Sequence, residues 1–465
     1  TNKGNVYAWG DNTHGQLGLG DETEVATPKK LAIANVRQIS VGEDHTLFLQ
    51  MNGTVYATGN YEHNKLGIYN LSGDLRIPTK VPSFLGASVV AVSAGTNHGL
   101  ALYYTTNAAS FGDNSYGQLG NGTTNNSTTP VRVRNQWMDG SDQLAIEISA
   151  GGEHTVVVTK SGTVYAWGLD AEGQVGLGAL VSGDSKQTNY LVPQQIASGD
   201  STSTDDLYFR DALSVSAGNS HVILLKKDGS VWSWGRNNKG QLGQSTNGVN
   251  NTYKDMQTPD RVLKGEYDTG NADDRYIKNV DALSAGENFS VVTTRDRNVY
   301  AWGDNTYGQL GNDKTTATIS TPVHVKSSDG TYLTGISMVS GGANHVIAMS
   351  NTNDIYAWGD NSKAQYHEVA NTHVANKITD KDSLNPENDD VFTSFSRVTA
   401  GWNYSVILTN NGYLWALGNN TYGQLGDMTE TDSDEPVRVG FKSEDILNLT
   451  KVTVSHSDGT TTEYT

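Results

Sequence analysis

The stretch AGGEHTVVVTKSGTVYAWGLDAEGQVG, residues 150–176, contains the marks on which the fold prediction depends. Two runs rich in β-branched and aromatic residues, HTVVVT (154–159) and TVYAWG (163–168), stand on either side of KSG (160–162). Glycine in a short turn between such runs is typical of a β-hairpin. The stretch therefore predicts two antiparallel strands joined by a tight turn.

Both ends of this hairpin recur along the chain. The run ending in glycine, usually after an aromatic residue, occurs eight times, at 6–10, 55–59, 108–112, 164–168, 231–235, 299–303, 355–359 and 414–418. The mark Gly-x-x-His, or Gly-x-x-aromatic, occurs seven times, within 41–45, 94–98, 150–154, 217–221, 285–289, 341–345 and 400–404. From this mark to the next glycine run the distance is always 17 residues, whereas the return distance varies from 32 to 51. A constant hairpin alternating with a variable connection indicates a repeat architecture.

Two further marks lie in the variable half of each unit. The motif G-Q-L-G or a variant occurs at 15–18, 64–67, 117–120, 173–176, 240–243, 308–311 and 423–426. A proline then enters the next strand, where a missing backbone donor is tolerated: Pro28, Pro78, Pro130, Pro193, Pro259, Pro322 and Pro436. The seventh unit has KAQY at 363–366 and no matching proline, so it is the degenerate copy.

Hairpin-rich units of this length without helical periodicity predict an all-β propeller of four-stranded blades. The alternation of W-G-x-N-x-x-G-Q-L-G with s-A-G-x-x-H over nearly the whole chain resembles the regulator of chromosome condensation repeat family. WGDNTHGQLGLG (9–20) and WGDNTYGQLGND (302–313) are similar to that family's signature. The resemblance implies a seven-bladed propeller that acts as a rigid platform for protein interactions.

The repeat count itself favours eight blades, with seven as the alternative, in a single domain of residues 1–465. The chain starts inside a hairpin turn, so the first unit lacks its leading strand. Counting back 17 residues from Gly10 across the two ends of the chain reaches Asp458. We therefore expect residues 451–465 to supply a closing strand that pairs with 4–10 and removes two open sheet edges.

Composition excludes several classes of function. The chain has no cysteine, which excludes disulfides, thiolate metal sites and cysteine nucleophiles. It has 32 Lys and Arg against 50 Asp and Glu, and a net charge of −18 makes nucleic acid and anionic membranes poor partners. No run approaches 18 apolar residues, so we expect no membrane insertion.

The repeated histidines are the first candidates for chemistry, because a ring of imidazoles can bind metal or transfer protons. Five of them share one repeat position: His45, His98, His154, His221 and His345. Phe289 and Tyr404 occupy that position in two units, which favours a structural role. The Asp-Asn turns before G-Q-L-G lack the alternating oxygen ligands of calcium loops. We therefore expect no catalytic centre, no metal and no cofactor.

Residues outside the repeat pattern are the candidates for partner binding. Trp137 and Trp402 lie away from the hairpin mark and predict apolar anchors, with a local patch over an insert as the alternative. Long inserts at 179–211, 244–280 and 363–396 occupy similar places in their units, which predicts similar places on the ring. Their carboxylates are expected to steer a basic partner: Asp205, Asp206, Asp273, Asp274, Asp389 and Asp390.

These features favour a non-enzymatic protein-interaction scaffold. The absence of cysteine, the bias towards Asn, Thr, Ser and Gly, and the acidity favour an exported prokaryotic protein, secreted or displayed at the cell surface. The expected partner is another protein, or another copy of this chain in a homo-oligomer or filament. Two alternatives stay open: a guanine nucleotide exchange factor for a small GTPase, which the resemblance implies, and a carbohydrate-binding propeller.

Overall fold

The computed structural model of the chain describes residues 1, 3–82, 88–103, 108–134, 145–178, 189–199, 207–244, 254–267, 274–366, 371–379, 392–440, 452–455 and 461–464. These residues form an all-β structure with one short 3-10 turn, Glu62–Asn64. No helix of the described part has the length and apolarity needed to cross a membrane. The predicted fold class is confirmed.

The strands follow one another in chain order. The first pair is β1 (Tyr7–Gly10) and β2 (Val25–Lys30). Seven four-stranded antiparallel sheets follow: β3 (Val36–Val41), β4 (His45–Gln50), β5 (Val55–Gly59) and β6 (Leu75–Lys80); β7 (Val89–Ala94), β8 (His98–Tyr103), β9 (Ala108–Gly112) and β10 (Ser127–Arg132); β11 (Ala145–Ala150), β12 (His154–Thr159), β13 (Val164–Leu169) and β14 (Asn189–Gln195); β15 (Ala212–Ala217), β16 (His221–Lys226), β17 (Val231–Gly235) and β18 (Met256–Arg261); β19 (Val280–Ala285), β20 (Phe289–Thr294), β21 (Val299–Asp304) and β22 (Thr318–His324); β23 (Ile336–Gly341), β24 (His345–Ser350), β25 (Ile355–Gly359) and β26 (Thr372–Ile378); β27 (Phe395–Ala400), β28 (Tyr404–Thr409), β29 (Leu414–Gly418) and β30 (Ser433–Arg438). The last pair is β31 (Val452–Ser455) and β32 (Thr461–Tyr464).

Each four-stranded sheet is one repeat unit, and its strands are called A to D in chain order. The predicted hairpin joins strands B and C; in the third complete sheet, for example, Val157 pairs with Tyr165. The proline mark lies in strand D at the edge of the sheet, as Pro193 does in β14. The degenerate unit folds like the others, because β26 completes its sheet without the proline.

The two terminal pairs account for the eighth unit. β1 and β2 carry the C and D marks, and the tail hairpin of β31 and β32 contacts strand A of the units on either side, β27 and β3. The repeat count of eight units is therefore confirmed, with seven complete sheets and one unit shared between the ends. Among the described strands β1 pairs with β2 and β31 with β32, so the ladder predicted between 4–10 and the tail is not among their pairings.

The ring closes through side-chain contacts between sheets. The indole Nε1 of Trp302 donates to the carbonyl of Gln241 in the preceding unit at 2.8 Å, and Trp358 bonds to Gln309 in the same way at 3.0 Å. Trp9 makes the equivalent bond to Gln424, 3.0 Å away and 415 residues further along the chain. The first sheet therefore packs on the last complete sheet through the same indole-to-carbonyl hydrogen bond that joins the other neighbouring sheets.

Large and small side chains alternate along strand C, which lets neighbouring sheets pack closely. Trp167, Trp302 and Trp358 are fully buried, and Ala166 and Ala301 next to them are buried as well. These aromatic residues therefore pack between neighbouring sheets.

Each unit has two faces, because successive turns between antiparallel strands lie at opposite ends of the sheet. The turn between strands A and B lies at one end of the sheet, here called the A–B face, and the turn between B and C lies at the other, the B–C face. The insert 179–211 is crossed by β14, and the inserts 244–280 and 363–396 are crossed by β18 and β26. Because each crossing carries the chain from one face to the other, each of the three inserts has a segment on both faces.

Candidate interaction surfaces

The repeated Gly-x-x-His mark forms the A–B turns by packing a ring against a glycine. A Cβ atom added to Gly151 would lie 2.2 Å from His154 Cε1, and one added to Gly286 would lie 2.1 Å from Phe289 Cε1. The same contact recurs at Gly42, Gly95, Gly218, Gly342 and Gly401 with the ring three residues later. The position thus requires a flat ring beside a residue without a side chain, which explains why phenylalanine and tyrosine replace histidine.

Burial keeps these histidines neutral. It lowers the pKa of His45 and of His154 to about 3, and that of His98 and of His221 to about 4. For His154 the neighbouring His98 and His221 lower the pKa further. An imidazole with so low a pKa stays uncharged and does not exchange protons near neutral pH.

Hydroxyls of the following unit approach some of these rings. His98 Nε2 lies 3.2 Å from the Thr155 hydroxyl, and His345 Nε2 lies 3.0 Å from the Ser405 hydroxyl. Within the described ranges, no group of three His, Asp or Glu side chains is placed to hold a metal ion. The repeated histidines are therefore part of the packing that joins neighbouring sheets.

The Asp-Asn turns before G-Q-L-G are loop caps. Asn114 Oδ1 accepts from the Leu119 amide at 2.9 Å, and its Nδ2 donates to the carbonyls of Thr123 and Asn125. Asn305 makes the equivalent bond from its Oδ1 to the Leu310 amide at 3.0 Å. These asparagines use their oxygens within the loop, as Asx-turn residues do.

The two variable positions of the A–B turns include several carboxylates. The seven turns contain four carboxylates and no lysine or arginine: Glu43, Asp44, Glu153 and Glu287. Asp44 pairs with the buried Lys65 at 2.6 Å, whereas Glu43 is exposed. Burial, then the charges of Asp113 and Glu43, raise the pKa of Glu153 to about 7. The A–B turns therefore carry a net negative charge, mainly from Glu43 and Glu287.

Trp402 lies on this acidic face. It is half-buried in the turn after β27, and its carbonyl accepts from the Ala343 amide at 3.3 Å. The equivalent first positions of the other turns are small or polar: Glu43, Thr96, Gly152, Asn219, Glu287 and Ala343. A single large ring on the acidic face fits the predicted role of an apolar anchor.

Asp274 is the other predicted binding residue that the structure describes, and it does not join Trp402. Asp274 lies in the connection from β18 to β19 on the B–C face and pairs with Lys278 at 2.5 Å. Trp137, Asp205, Asp206, Asp273, Asp389 and Asp390 lie outside the described residues. Trp402 and Asp274 are at opposite ends of their sheets and cannot contact the same small surface.

A second group of residues escaped the sequence prediction. Tyr208, Tyr276 and Tyr332 each stand four residues before a strand A, and they belong to three consecutive connections. Each forms an isolated β-bridge with the residue two positions after the preceding strand D, as Tyr276 does with Leu263. In the sequence these positions share a pattern, a tyrosine followed by an apolar residue, in LYFRDA (207–212), RYIKNV (275–280) and TYLTGI (331–336). The variable length of the inserts hid its constant distance from the next strand.

Comparisons with known proteins agree with this architecture. A family model described as an RCC1-like domain matches residues 200–462, and the regulator of chromosome condensation (RCC1) repeat matches 3–49, 52–102, 110–158 and 161–225. The Ultraviolet-B receptor UVR8 of Arabidopsis thaliana is 29% identical over 77% of this chain and 74% of the receptor. The E3 ubiquitin-protein ligase HERC2 of Homo sapiens is 28% identical over 78% of this chain, which spans only 7% of the ligase. The structure of yeast RCC1 (Prp20) bound to Kap60 has a TM-score of 0.61 and 20% identity, covering 99% of this chain and 89% of that one.

Proposed function

The chain belongs to the regulator of chromosome condensation repeat family, and from that premise we propose that it is a non-enzymatic protein-interaction scaffold. The A–B face carries the proposal. Its histidines and the tryptophans of strand C join the sheets, and its asparagines cap the loops. Glu43, Glu287 and Trp402, in contrast, remain at the surface. A rigid ring with acidic turns and one large aromatic residue suits the recognition of another protein.

The charge of this face defines the chemistry of the partner. Carboxylates at the A–B turns attract a basic surface and raise its association rate, while a half-buried tryptophan supplies apolar contact area. The partner in this proposal is therefore a protein with a basic surface that includes an apolar pocket.

The proposed location is outside the cell or at its surface. The absence of cysteine and the abundance of Asn, Thr, Ser and Gly support this location. Mass spectrometry of the surface and medium fractions of the native source tests it, and recovery of the chain only from the cell interior contradicts it.

The scaffold role is tested by capture from the native source with the wild-type chain and Trp402→Ala as baits. Loss of the indole should weaken binding of the specific partner by about 2 kcal/mol, close to 30-fold in Kd, with an unchanged melting temperature. Tyr422→Ala, which removes an exposed aromatic ring from an outer loop on the same face, is the matched control. Equal binding by both variants contradicts the assignment of Trp402.

The role of the charges has its own experiment. Glu43→Gln with Glu287→Gln should slow association with that partner and flatten its dependence on salt, since both carboxylates lie on the binding face. Asp329→Asn, an exposed carboxylate in the connection from β22 to β23 on the B–C face, is the control and should leave the association rate unchanged. Accelerated release of nucleotide from a GTPase, or glycan binding that depends on Trp402, identifies one of the competing functions instead.

A further inference from the structure

Three tyrosines occupy equivalent positions in three consecutive connections of the B–C face and are together called the tyrosine strip: Tyr208, Tyr276 and Tyr332. The bridges Ala197–Tyr208, Leu263–Tyr276 and Lys326–Tyr332 place the three residues in one register. Neighbouring side chains of an extended segment point to opposite sides. The residue after each tyrosine is buried, at Phe209, Ile277 and Leu333, whereas Tyr208 is 40% and Tyr332 55% exposed.

Ring contacts beneath the strip hold it in place. Tyr332 stacks on His324 with ring centroids 4.2 Å apart, and His324 in turn lies 4.6 Å from Tyr300. Phe209 packs edge-on against Trp232 at 5.1 Å. Side chains fixed in this way lose little conformational entropy when a partner binds, so the strip is preorganised for recognition.

Cations lie along the same strip. The guanidinium of Arg261 is 4.4 Å and that of Arg275 is 5.5 Å from the ring centroid of Tyr276. The Arg261 Nε is buried and has no hydrogen-bond partner in the described part of the chain. Lys226 lies over the rings of Phe209 and Trp232 at 5.0 and 5.6 Å. Guanidinium groups that stack on rings keep N–H donors for carboxylates, which they bind in a bidentate manner.

The turns beside the strip are also rich in cations, although the chain as a whole has a net charge of −18. The B–C turns at 226–229 and 295–298 read KKDG and RDRN, with two cations and one carboxylate each. The A–B turns, in contrast, contain no cation. Cations therefore outnumber carboxylates in the two turns beside the strip.

We propose that the tyrosine strip is a docking surface for an extended acidic segment of a partner protein. Carboxylates of that segment bind the guanidinium groups of Arg261 and Arg275, and its backbone and aliphatic atoms lie on Tyr208 and Tyr332. Single-stranded nucleic acid fits this surface less well, because Tyr276 is already covered by guanidinium groups and one face of Tyr332 by His324. The strip lies apart from the A–B face, so this docking is independent of the proposed function of that face.

A synthetic peptide tests the proposal directly. The probe is a fluorescein-labelled 12-residue peptide of alternating Glu and Gly, titrated with the full chain while fluorescence anisotropy is measured at 20 and 150 mM salt. The wild-type chain should bind it and lose affinity as salt rises. Arg261→Gln with Arg275→Gln should weaken binding at least 10-fold, and Tyr276→Ser should weaken it as well.

Matched variants separate this strip from other surfaces. Arg134→Gln removes an exposed cation outside the strip, and Trp402→Ala changes only the A–B face; both should bind the peptide like the wild type. Arg275→Gln alone removes an exposed charge, so it provides a test in a chain whose fold is not disturbed. Absence of binding by the wild type, equal binding by the arginine variants, or tighter binding of a 12-residue thymidine oligonucleotide overturns the proposal.

Discussion

The A–B turns and the connections that lead from strand D to the next strand A differ in almost every respect. Every A–B turn has the same length and the same glycine beneath a ring, as at Gly151 and His154. The connections vary in length, and three in succession carry the tyrosine strip. The turns build the ring of sheets, and the connections differentiate its units from one another. Recognition is therefore expected where the repeat departs from its own pattern.

Their charges differ as well. Carboxylates gather on the A–B face, at Glu43 and Glu287, whereas Arg261 and Arg275 lie beside Tyr276 on the B–C face. The A–B turns and the tyrosine strip are thus suited to partners of opposite charge, although the chain is acidic overall. Changes to the framework should lower stability, and changes to the exposed residues should alter binding while the fold persists.

The largest effect is expected from deleting residues 451–465, which removes β31 and β32 from between β27 and β3. The deletion removes the contacts that this hairpin makes with β3 and β27 and uncovers the inner side of the first unit. The melting temperature should fall by about 10 °C or more, and the chain should aggregate on heating. Calorimetry with light scattering measures both, and an unchanged melting temperature contradicts the closing role of the tail.

Replacing the glycine of an A–B turn by alanine is expected to have the next largest effect on stability. Gly151→Ala places a Cβ 2.2 Å from His154 Cε1, so the ring must leave its packed position. Overpacking of this kind should cost about 3 kcal/mol in the free energy of unfolding. Gly73→Ala, where the added Cβ meets nothing within 4 Å, is the control and should cost little. Equal urea denaturation curves for the two variants contradict the packing argument.

Replacing a buried histidine should change the pH dependence of stability. Unfolded His154 binds a proton near pH 6.5, but burial lowers the pKa of the folded residue to about 3. Between these values the unfolded state binds more protons, so stability is lost as the pH falls. On moving from pH 7 to pH 4, the wild type should therefore lose about 3 kcal/mol more of its free energy of unfolding than His154→Phe does.

Denaturation curves measured at the two pH values test this difference. The reverse substitution, Phe289→His at the equivalent position, should make the chain more sensitive to acid. Parallel pH curves for the wild type and His154→Phe contradict the assignment.

The smallest effect concerns the bond that joins neighbouring sheets. Trp302→Phe removes the Nε1 donor to the Gln241 carbonyl, and Trp415→Phe removes an Nε1 that is buried without a hydrogen-bond partner in the described part of the chain. Both lose the same atoms, so the difference between their unfolding free energies isolates the hydrogen bond. Trp302→Phe should be destabilised by about 1 kcal/mol more, and an equal loss shows that the bond does not join the sheets.

Much of the framework was predictable because it is local. The 17-residue hairpin, the eight units and the degenerate seventh copy follow from spacing along the chain. The buried alternation of Trp302 with Ala301 follows from the period of a strand. That the repeated histidines are structural was predictable from Phe289 and Tyr404, since these residues keep the ring but not the imidazole.

The surfaces were less predictable. Trp402 stood out as an exception to its repeat position, and the structure places it on the acidic A–B face. Asp274 stood out as an acid, yet it is paired with Lys278, four residues further along. Tyr276 did not stand out at all, because its alignment with Tyr208 and Tyr332 appears only when the distance is counted back from the next strand A.

The amino-acid sequence by itself determined the hairpins, the number of units and the residues that pack within each sheet, because those interactions join residues close together in the chain. Only the tertiary structure decided which face each insert reaches, since every strand that crosses the sheet carries the chain to the other side. It also decided the contacts between units, such as the bond from Trp9 to Gln424 across 415 residues. Closure of the ring brings those two residues together, and no local pattern specifies a contact between sheets so far apart in the chain.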